Sequence, residues 1–536
     1  MCNIRLLDCT LREAPLDGLM WGELSIKKMI HGLEKAGVDI IECGFLKDEP
    51  YVQGSSSFQK VEDIQSYIGE KKQNVIYVAL VDYGRYDLKY LSDYDGKTID
   101  AIRICFKKHE MGEVLSYAEE IRRKGYQVCI QHVDTMGFSD EEIVEFIGKV
   151  NEFQPFAYSV VDTFGAMYED DMLHYCKLAD SVLNENIILG FHAHNNLMLA
   201  DANVQRFLKE MSGRRKVIVD TSLFGCGRSA GNAHTELIAE YLVKKQGATY
   251  DINELLDLID TVVAAAQEKT SWGYSIPYFI SGMHNSHTFN VKYLLKRHNI
   301  KSKDLRGIIE NLDEKQKKVY DYKLLEKLYV EYFDRPIDDD EVISGLTKIF
   351  QDRDILLLAP GKTVIDQKEK IDCFIQEKAP IVIGVNNLIE GYLFDYIFYS
   401  GVNRYQNLQY QDYNDAGAPR VIMTSNIKTI PEENEMIVNY SSLIKYGWVN
   451  IDSSAILLIR LLLKCGVSQV FVAGLDGYKK FGQAFYKNEL DTGLEEQERV
   501  KNTEDNLSML EDVRIHNPNF RMHFLTDSIY SRIFER

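Results

Sequence analysis

Two histidines stand two residues apart in the stretch GFHAHNN, residues 190–196. The apolar run before them, NIILG, is typical of a β-strand, in which every second side chain lies on the same face. His192 and His194 therefore point to one side, near the end of the strand. Two imidazoles at one point indicate a divalent-metal site, although a pair of hydrogen-bonded core histidines would give the same pattern.

Other polar and ionisable residues also follow strand-like runs. The first run leads into Asp8, Arg12 and Glu13, and a later run ends in VDTFG, residues 161–165. Unpaired polar groups are costly to bury, so their concentration at strand ends is hard to explain as core packing. A carboxylate beside two imidazoles is a typical donor set for a divalent metal, and Glu13 is placed to supply it. The alternative for Glu13 is a surface acid at a helix start.

The elements that position these residues alternate regularly. Eight β-rich runs begin at residues 4, 38, 74, 101, 127, 157, 186 and 216, and amphipathic helical segments lie between them. Such alternation predicts βαβ units and a parallel sheet. Eight evenly spaced units favour a (β/α)8 TIM barrel over residues 1–262, whose active site would lie at the carboxyl ends of the strands. A doubly wound open sheet is the competing fold.

The remainder of the chain predicts a second α/β domain. Residues 263–334 are mostly helical in pattern and are assigned as an appendage of the barrel, and residues 335–353, which begin with RPIDDD, as a linker. Strand-like runs then resume over residues 354–536, which indicates a Rossmann-like open sheet. We expect residues 1–334 to fold and keep their metal without the rest.

A turn in this second domain could hold a phosphate. APGKT, residues 359–363, follows a strand and precedes a helix, but it matches no complete nucleotide-binding motif. Lys362 and Asp476 are candidate contacts to a nucleotide ligand. A surface lysine and a turn aspartate are the alternatives.

Composition limits the partners. The chain has 536 residues, of which 45% are hydrophobic and 27% charged, and its formal net charge is −19. Nucleic acids and anionic membranes require a basic face, so neither is expected as a partner. No signal peptide or bilayer-spanning run is present, and the nine cysteines form no CxxC pair, which favours a cytoplasmic, reduced protein. Whether it is a homo-oligomer is left open.

Three motifs carry a family resemblance. LLDCTLRE, GFHAHNN and GCGRSAGN, in that order, resemble the signatures of the DRE-TIM metallolyase superfamily, over residues 4–334. The resemblance implies that Glu13, His192 and His194 bind Mn²⁺ or Mg²⁺, with Asn232 as a weaker fourth candidate. It also implies that Arg12 steadies an enolate formed from a 2-oxoacid substrate.

Two further stretches resemble the 4-hydroxy-2-oxovalerate aldolase branch of that superfamily. VDTFGAM places Thr163 where those aldolases use a serine at the substrate oxyanion, and WGYSIPYFISGMH places Tyr278 on a tyrosine that shapes their pocket. In those enzymes the helices after the barrel dock a partner dehydrogenase. The strand-end residues predicted to contact the substrate are Asp8, His132, Thr163 and Gly165.

The sequence also departs from that branch. Leu16 stands where the aldolases place a histidine base, so Asp17, Tyr278 or a metal-bound water would have to accept the proton. The aldolases mostly have Asp at the position of Glu13, whereas Glu is usual in homocitrate synthase. Cys226 lies in the glycine-rich loop outside the lyase spacing and is interpreted as structural.

The sequence as a whole predicts a metal-dependent aldolase that cleaves a 4-hydroxy-2-oxoacid. The alternatives are a Claisen-type enzyme that condenses an acyl-CoA with a 2-oxoacid, and a non-catalytic barrel that serves a nucleotide-binding or transferase-like second domain.

Overall fold

The computed structural model describes residues 3–13, 20–267, 270, 272–295, 300–408, 418–427, 435–478, 485–487 and 496–534. The chain divides into two compact units. The barrel unit comprises Met1–Val291 and Leu312–Tyr320, and the sheet unit comprises Lys292–Asn311 and Asp321–Arg536. The protein is therefore of the α/β class, with one parallel sheet in each unit.

Eight parallel strands close into a ring in the barrel unit, as predicted. Strand β1 pairs with both β2 and β9, which joins the two ends of the sheet, and the short β3 only extends β2. The strands are β1 (Ile4–Asp8), β2 (Ile40–Leu46), β3 (Ser57–Phe58), β4 (Ile76–Asp82), β5 (Ala101–Phe106), β6 (Gln127–His132), β7 (Ala157–Asp162), β8 (Ile188–Ala193) and β9 (Val217–Thr221).

Helices follow the strands and bury their apolar stripes on the outside of the ring. Local sequence fixes several of their ends: Ser139 accepts a hydrogen bond from Glu142 N at 3.3 Å and starts α5, and Gly37 ends α2 with a φ of 80°. The helices are α1 (Thr10–Glu13), α2 (Glu23–Ala36), α3 (Val61–Ile68), α4 (Val114–Arg123), α5 (Asp140–Phe153), α6 (Glu169–Val182), α7 (Ala200–Met211), α8 (Thr235–Gln246), α9 (Ile252–Leu258), α10 (Ala264–Gln267), α11 (Ile276–Met283) and α12 (Thr288–Leu294).

Strand pleating decides which residues face the centre of the ring. One apolar side chain from each barrel strand, including Leu7, Ile40 and Ile218, forms a small cluster separate from the layer under the helices. Two residues further along several strands, on the same face, come polar side chains such as Glu42 and Asp220. The ring is thus apolar at its base and charged toward the carboxyl ends of its strands.

The sheet unit contains a seven-stranded open parallel sheet in the order β14-β13-β12-β11-β10-β15-β16. Its strands are β10 (Ile355–Leu358), β11 (Ile381–Val385), β12 (Tyr396–Tyr399), β13 (Arg420–Thr424), β14 (Glu435–Val438), β15 (Gln469–Ala473) and β16 (Arg521–Phe524). This topology confirms the predicted Rossmann-like open sheet.

The division between the units differs from the predicted boundary. Of the helices α13 (Ser302–Glu310), α14 (Glu314–Lys318) and α15 (Tyr322–Phe333), all assigned above to the barrel's appendage, only α14 clusters with the barrel. Helix α13 packs on α15, and Tyr329 of α15 donates a hydrogen bond to Asp452 at 2.7 Å. Their apolar faces therefore complete the sheet unit, and a fragment of residues 1–334 would carry both helices without their partners.

The predicted linker is largely structured. Helix α16 (Asp340–Phe350) occupies most of it, and Asp339 is buried, where it accepts hydrogen bonds from Lys464 Nζ at 3.0 Å and Asn439 N at 2.9 Å. RPIDDD is thus tied to the sheet unit. The independent folding of residues 1–334 stays a prediction.

The remaining helices of the sheet unit are α17 (Thr363–Asp366), α18 (Lys368–Lys378), α19 (Val402–Leu408), α20 (Ser454–Lys464) and α21 (Glu496–His516). Helix α20 is buried from Ala455 to Leu462 and therefore lies in the core of the sheet unit. Within the described part of the chain, no helix combines the length and hydropathy needed to cross a bilayer.

Candidate metal centre

Closure of the ring brings three metal-ligating side chains together. Glu13 ends α1, directly after β1, while His192 lies on β8 and His194 just beyond it. One ligand atom from each lies within 4.8 Å of the others, and all three residues are buried. The structure therefore brings together the three residues that the sequence predicts as metal ligands.

Glu13 is held as a carboxylate with one oxygen uncommitted. Arg12 donates a hydrogen bond to Oε1, whereas Oε2 is buried and has no hydrogen-bond partner among the described residues. Burial raises the pKa of Glu13, but the positive charge of Arg12 is the main opposing cause, and the pKa is lowered to about 2. A buried, ionised oxygen without a donor is a natural ligand for a cation.

The two histidines are also prepared as ligands. His192 Nδ1 lies 3.0 Å from the Asp220 carboxylate, and this contact orients the ring so that Nε2 is left for another partner. Burial, followed by the charge of His192, lowers the pKa of His194 to about 3. The His194 ring is therefore neutral at physiological pH, as a metal ligand must be.

Asn232 fits as a fourth donor. It pairs with His194 in a short antiparallel bridge, and its Nδ2 donates to the carbonyl of Cys226 at 2.9 Å. That hydrogen bond fixes the amide orientation, while Oδ1 is buried and finds no donor in the described chain. The Cys226 carbonyl thus orients the candidate ligand, while its thiol is not in the metal set.

Behind the ligands lies a buried charge network that the sequence did not reveal. Arg12 Nε donates to Glu42 at 2.8 Å, and Arg103 donates to Glu42 at 2.9 Å and also to Asp220, the partner of His192. With Glu13, the network holds three carboxylates and two guanidinium groups. Its net charge is therefore −1, and binding of a divalent cation would change the net charge to +1.

The donor set fits a hard or borderline divalent ion. It offers a carboxylate oxygen, two imidazole nitrogens and an amide oxygen, which suit Mn²⁺, Mg²⁺ or Zn²⁺ more than a thiolate-seeking metal. The oxygens of Glu13 and Asn232 that find no donor in the described structure support this fit.

Two predicted substrate contacts were placed on the wrong face of their strands. His132 lies among Phe106, Phe138 and Phe146 in the layer under the helices, and its Nδ1 contacts Tyr158 OH at 2.5 Å. The neighbouring Gln131, not His132, faces the ring interior, where it accepts a hydrogen bond from Arg103 at 2.9 Å. Burial lowers the pKa of His132 to about 3, as expected for a neutral core residue.

Asp8 likewise points away from the ring centre. It accepts hydrogen bonds from Thr10 N at 3.0 Å and from Thr235 Oγ1 at 2.6 Å, which tie the end of β1 to the start of α8. Burial raises its pKa to about 6 despite these bonds. Asp8 therefore braces the turn that carries Arg12 and Glu13.

Thr163 and Gly165 follow β7 beside the metal set. Thr163 lines a small cavity that also includes His194, and its Oγ1 accepts a hydrogen bond from Asp134 N at 2.7 Å. Gly165 has a φ of 57°, and a Cβ there would lie 2.4 Å from Asn196 N. Gly165 thus permits close approach of two loops, while Thr163 lines the cavity beside His194.

The cavity brings in two residues that the sequence analysis missed, Arg228 and His287. Arg228 belongs to the glycine-rich loop, and its Nε is buried without a hydrogen-bond partner in the described structure. The charge of Arg228 acts on both Glu13 and His194. The arginine inside the motif GCGRSAGN is the sequence feature that could have identified Arg228. The cavity is lined by Thr163, Phe164, His194, Asn196, Arg228, Ser229, His287 and Thr288.

Of the predicted proton acceptors, Asp17 lies outside the described residues. Tyr278 is half-buried near the start of α11. One turn further along this helix, a Cβ on Gly282 would lie 3.0 Å from Asn196 Cβ and 3.1 Å from Gly165 O. Residues four apart share a helix face, so Tyr278 lies on the face that packs over the loops after β7 and β8.

The match to a known family covers this same barrel. Residues 3–265 match the HMGL-like family model. The barrel is an HMGL-like domain. Strands β10–β16 lie beyond the matched region, so the family model says nothing of the sheet unit.

Named relatives of the HMGL-like domain share about a quarter of their residues with it. An oxaloacetate decarboxylase of Mycobacterium tuberculosis is 25% identical over 306 residues, which cover 54% of this chain and 84% of the relative. A 4-hydroxy-2-oxovalerate aldolase of Bacillus thuringiensis is 25% identical over 294 residues, covering 53% and 83%. Among solved structures, the HMG-CoA lyase of Bacillus subtilis matches with 15% identity and a TM-score of 0.41, covering 51% of this chain and 95% of that one.

Proposed function

We propose that the HMGL-like domain is a divalent-metal-dependent lyase that cleaves the C3–C4 bond of a 4-hydroxy-2-oxoacid. The observation that carries this proposal is the buried set of Glu13, His192 and His194, in which one carboxylate oxygen has no partner within the described part of the chain. The names of the relatives support the substrate class, because oxaloacetate and 4-hydroxy-2-oxovalerate are both 2-oxoacids.

A Mn²⁺ or Mg²⁺ ion held by these ligands would polarise the keto group and favour the enolate that remains after cleavage. Arg12 supplies a second positive charge. Glu13 and Glu42 both bind its guanidinium, which is buried and cannot swing freely. A cation fixed in place before the reaction stabilises developing charge on oxygen without reorganising.

Arg228 is assigned to a carboxylate of the substrate. It lines the cavity beside His194 and Thr163, and its Nε has no partner among the described residues. Arg12 already contacts two carboxylates, so Arg228 is the better placed guanidinium for a third. Guanidinium groups bind carboxylates with directed, charge-assisted hydrogen bonds.

Tyr278 is assigned to proton transfer at the 4-hydroxyl group. Its support is its position on the face of α11 that packs over the site loops. His287 is less suited, because its Nδ1 accepts a hydrogen bond from Phe289 N at 3.1 Å, which leaves the proton of a neutral ring on Nε2. Replacing Tyr278 by Phe keeps the ring and should lower kcat by about 10²- to 10⁴-fold. An unchanged kcat would exclude Tyr278 from this role.

Decarboxylation of a 2-oxoacid such as oxaloacetate is the second candidate. It is favoured by the decarboxylase relative and by Leu16, which stands where the aldolases place their histidine base. Decarboxylation also forms an enolate, but it requires no base to remove a hydroxyl proton. A Tyr278→Phe variant should therefore lose aldolase activity and keep decarboxylase activity.

The deciding experiment measures pyruvate release by the full chain after chelation and reloading with Mn²⁺ or Mg²⁺. The substrates are a panel of 4-hydroxy-2-oxoacids and oxaloacetate, and the His192→Ala/His194→Ala double variant is the control. We expect metal-dependent release that the control lacks. If no substrate is cleaved, acyl-CoA with a 2-oxoacid tests the condensing alternative, and failure of both reactions would support a non-catalytic barrel.

A further inference from the structure

The order of the open sheet reverses beside β10. From β10 the chain proceeds outward through β11, β12, β13 and β14, and then returns to add β15 and β16 on the other side. The connections on either side of such a reversal leave toward opposite faces of the sheet. A crevice therefore opens at the carboxyl ends of the two strands, and this is where open α/β sheets bind their ligands.

A crevice of about 120 Å³ lies at this position. Its floor consists of the turns after β10 and β15, which approach so closely that a Cβ on Gly361 would lie 2.3 Å from Gly474 O. Asp476 fixes these turns by accepting hydrogen bonds from Thr363 N at 2.9 Å and from Thr363 Oγ1 at 2.5 Å. The carboxylate thus holds the floor together.

One wall of the crevice is the start of helix α20. Ser453, Ser454 and Ala455 line it, and the Ser453 side chain makes no capping hydrogen bond to the helix. The first backbone N–H groups of a helix lack partners within the helix, and they lie at the positive end of its dipole. Eight of the eleven residues of α20, Ala455–Leu462, are buried, so the helix is held in the core with its first turn at the crevice.

Two unpaired amide oxygens provide a second, independent indication of a ligand. Asn506 lines the crevice and is 5% exposed, and its Oδ1 has no hydrogen-bond partner among the described residues. Asn386 Oδ1 likewise has no partner in the described part of the chain, while its Nδ2 donates to Ser454 Oγ at 2.9 Å. Buried acceptors without donors are rare in native structures, so both oxygens indicate a partner that carries hydroxyl or amino groups.

We propose that this crevice binds a mononucleotide. Its phosphate lies at the start of α20, and hydroxyl or amino groups of its sugar and base donate to Asn506 and Asn386. Helix starts bind phosphates through backbone N–H groups and the helix dipole. The crevice volume of about 120 Å³ accommodates the phosphate and part of the sugar, so the rest of the nucleotide would lie at the open mouth of the crevice.

Among the described residues, none that lines this crevice is a lysine or an arginine, and this has a measurable consequence. Recognition through backbone dipoles and amides releases few counterions, so the affinity should change little between low and physiological salt. An adventitious phosphate on a basic surface would instead bind more weakly as the salt concentration rises.

Titration calorimetry of the full chain with AMP, CMP, GMP and UMP tests the proposal, with inorganic phosphate as the minimal probe. At least one nucleotide should bind with a Kd below about 1 mM and more tightly than phosphate. Ser453→Asp should weaken that binding at least about tenfold, because the acid repels the phosphate yet is itself a good helix cap. Ser468→Asp adds the same charge at the opposite end of β15 and should leave the affinity unchanged.

Asn506→Leu provides the second variant. It removes Oδ1, which has no partner among the described residues, and also the long Nδ2 hydrogen bond to Tyr530 OH at 3.4 Å, so the melting temperature without ligand should fall only slightly, whereas nucleotide affinity should fall about tenfold. Three results would overturn the proposal: no nucleotide binds, phosphate alone binds as tightly as every nucleotide, or both Ser453→Asp and Asn506→Leu bind like the wild type.

Discussion

Replacing Asp220 by Asn isolates the contribution of one hydrogen bond to metal binding. Asp220 contacts His192 Nδ1 at 3.0 Å and also accepts a hydrogen bond from Arg103. Glu42→Gln is the matched control, because Glu42 binds the same Arg103 at 2.9 Å, belongs to the same buried network and does not contact a histidine ligand. Each substitution removes one negative charge from the network, so the general loss of attraction for a cation is shared.

The two variants differ in the bond to His192. A hydrogen bond to a charged acceptor contributes about 1.5 to 3 kcal/mol and one to a neutral acceptor about 0.5 to 1.5 kcal/mol. The Asn variant should therefore bind Mn²⁺ about 1 to 1.5 kcal/mol more weakly than the Gln control, which is about tenfold in Kd. This is within the range of about 10- to 100-fold seen when the partner of a ligating histidine is lost.

Calorimetric titration of the chelated proteins with Mn²⁺ measures the difference, and thermal unfolding without metal shows whether both variants are folded. Equal metal affinities for Asp220→Asn and Glu42→Gln would refute the reasoning, because the bond to His192 would then contribute nothing beyond its charge. If Glu42→Gln bound Mn²⁺ more weakly than Asp220→Asn, the contact between Glu42 and Arg12 would be the more important one for metal binding.

Three further variants test the site. The His192→Ala/His194→Ala double variant should lose stoichiometric Mn²⁺ by metal analysis, and undiminished metal would place the ion elsewhere. Arg12→Ala should lower kcat by about 10²- to 10³-fold with a smaller rise in KM, since its charge matters most as the enolate forms; a change in KM alone would make it only a binding residue. Arg228→Gln should do the reverse and raise KM roughly 10- to 100-fold, because it loses one charge-assisted hydrogen bond to the substrate carboxylate. A kcat effect without a KM effect would contradict that assignment.

The ring and its ligands were predictable because both depend on local patterns. Eight strand-like runs at near-equal spacing favour the (β/α)8 fold over an open sheet, because eight equal βα units are what such a barrel requires. Glu13, His192 and His194 follow strands, and the carboxyl ends of parallel strands meet at one rim. Chemistry-bearing residues at strand ends therefore converge without any long-range information.

The errors arose where the answer depended on distant contacts. A one-residue difference in the pleat places Gln131 inside the ring and His132 outside it, and both residues fit the strand pattern equally well. Arg103 donates hydrogen bonds to Glu42 and Asp220, which are 61 and 117 residues away in the sequence. No local motif could therefore predict this network. The apolar faces of helices α13 and α15 predict that these faces are buried, but they do not predict which unit the helices pack against.

The candidate metal ligands come from the parts of the barrel that are synthesised first and nearly last. Glu13 follows the first strand to be synthesised, whereas His192 and His194 belong to the seventh strand of the ring, so the set does not exist until the ring has nearly closed. Any ion bound by this set binds only the closed form and stabilises it by mass action, by about 2.7 kcal/mol when its free concentration is a hundred times Kd. The concentration of the ion in the cell would then affect both the catalytic rate and the fraction of newly synthesised chain that is in the folded state.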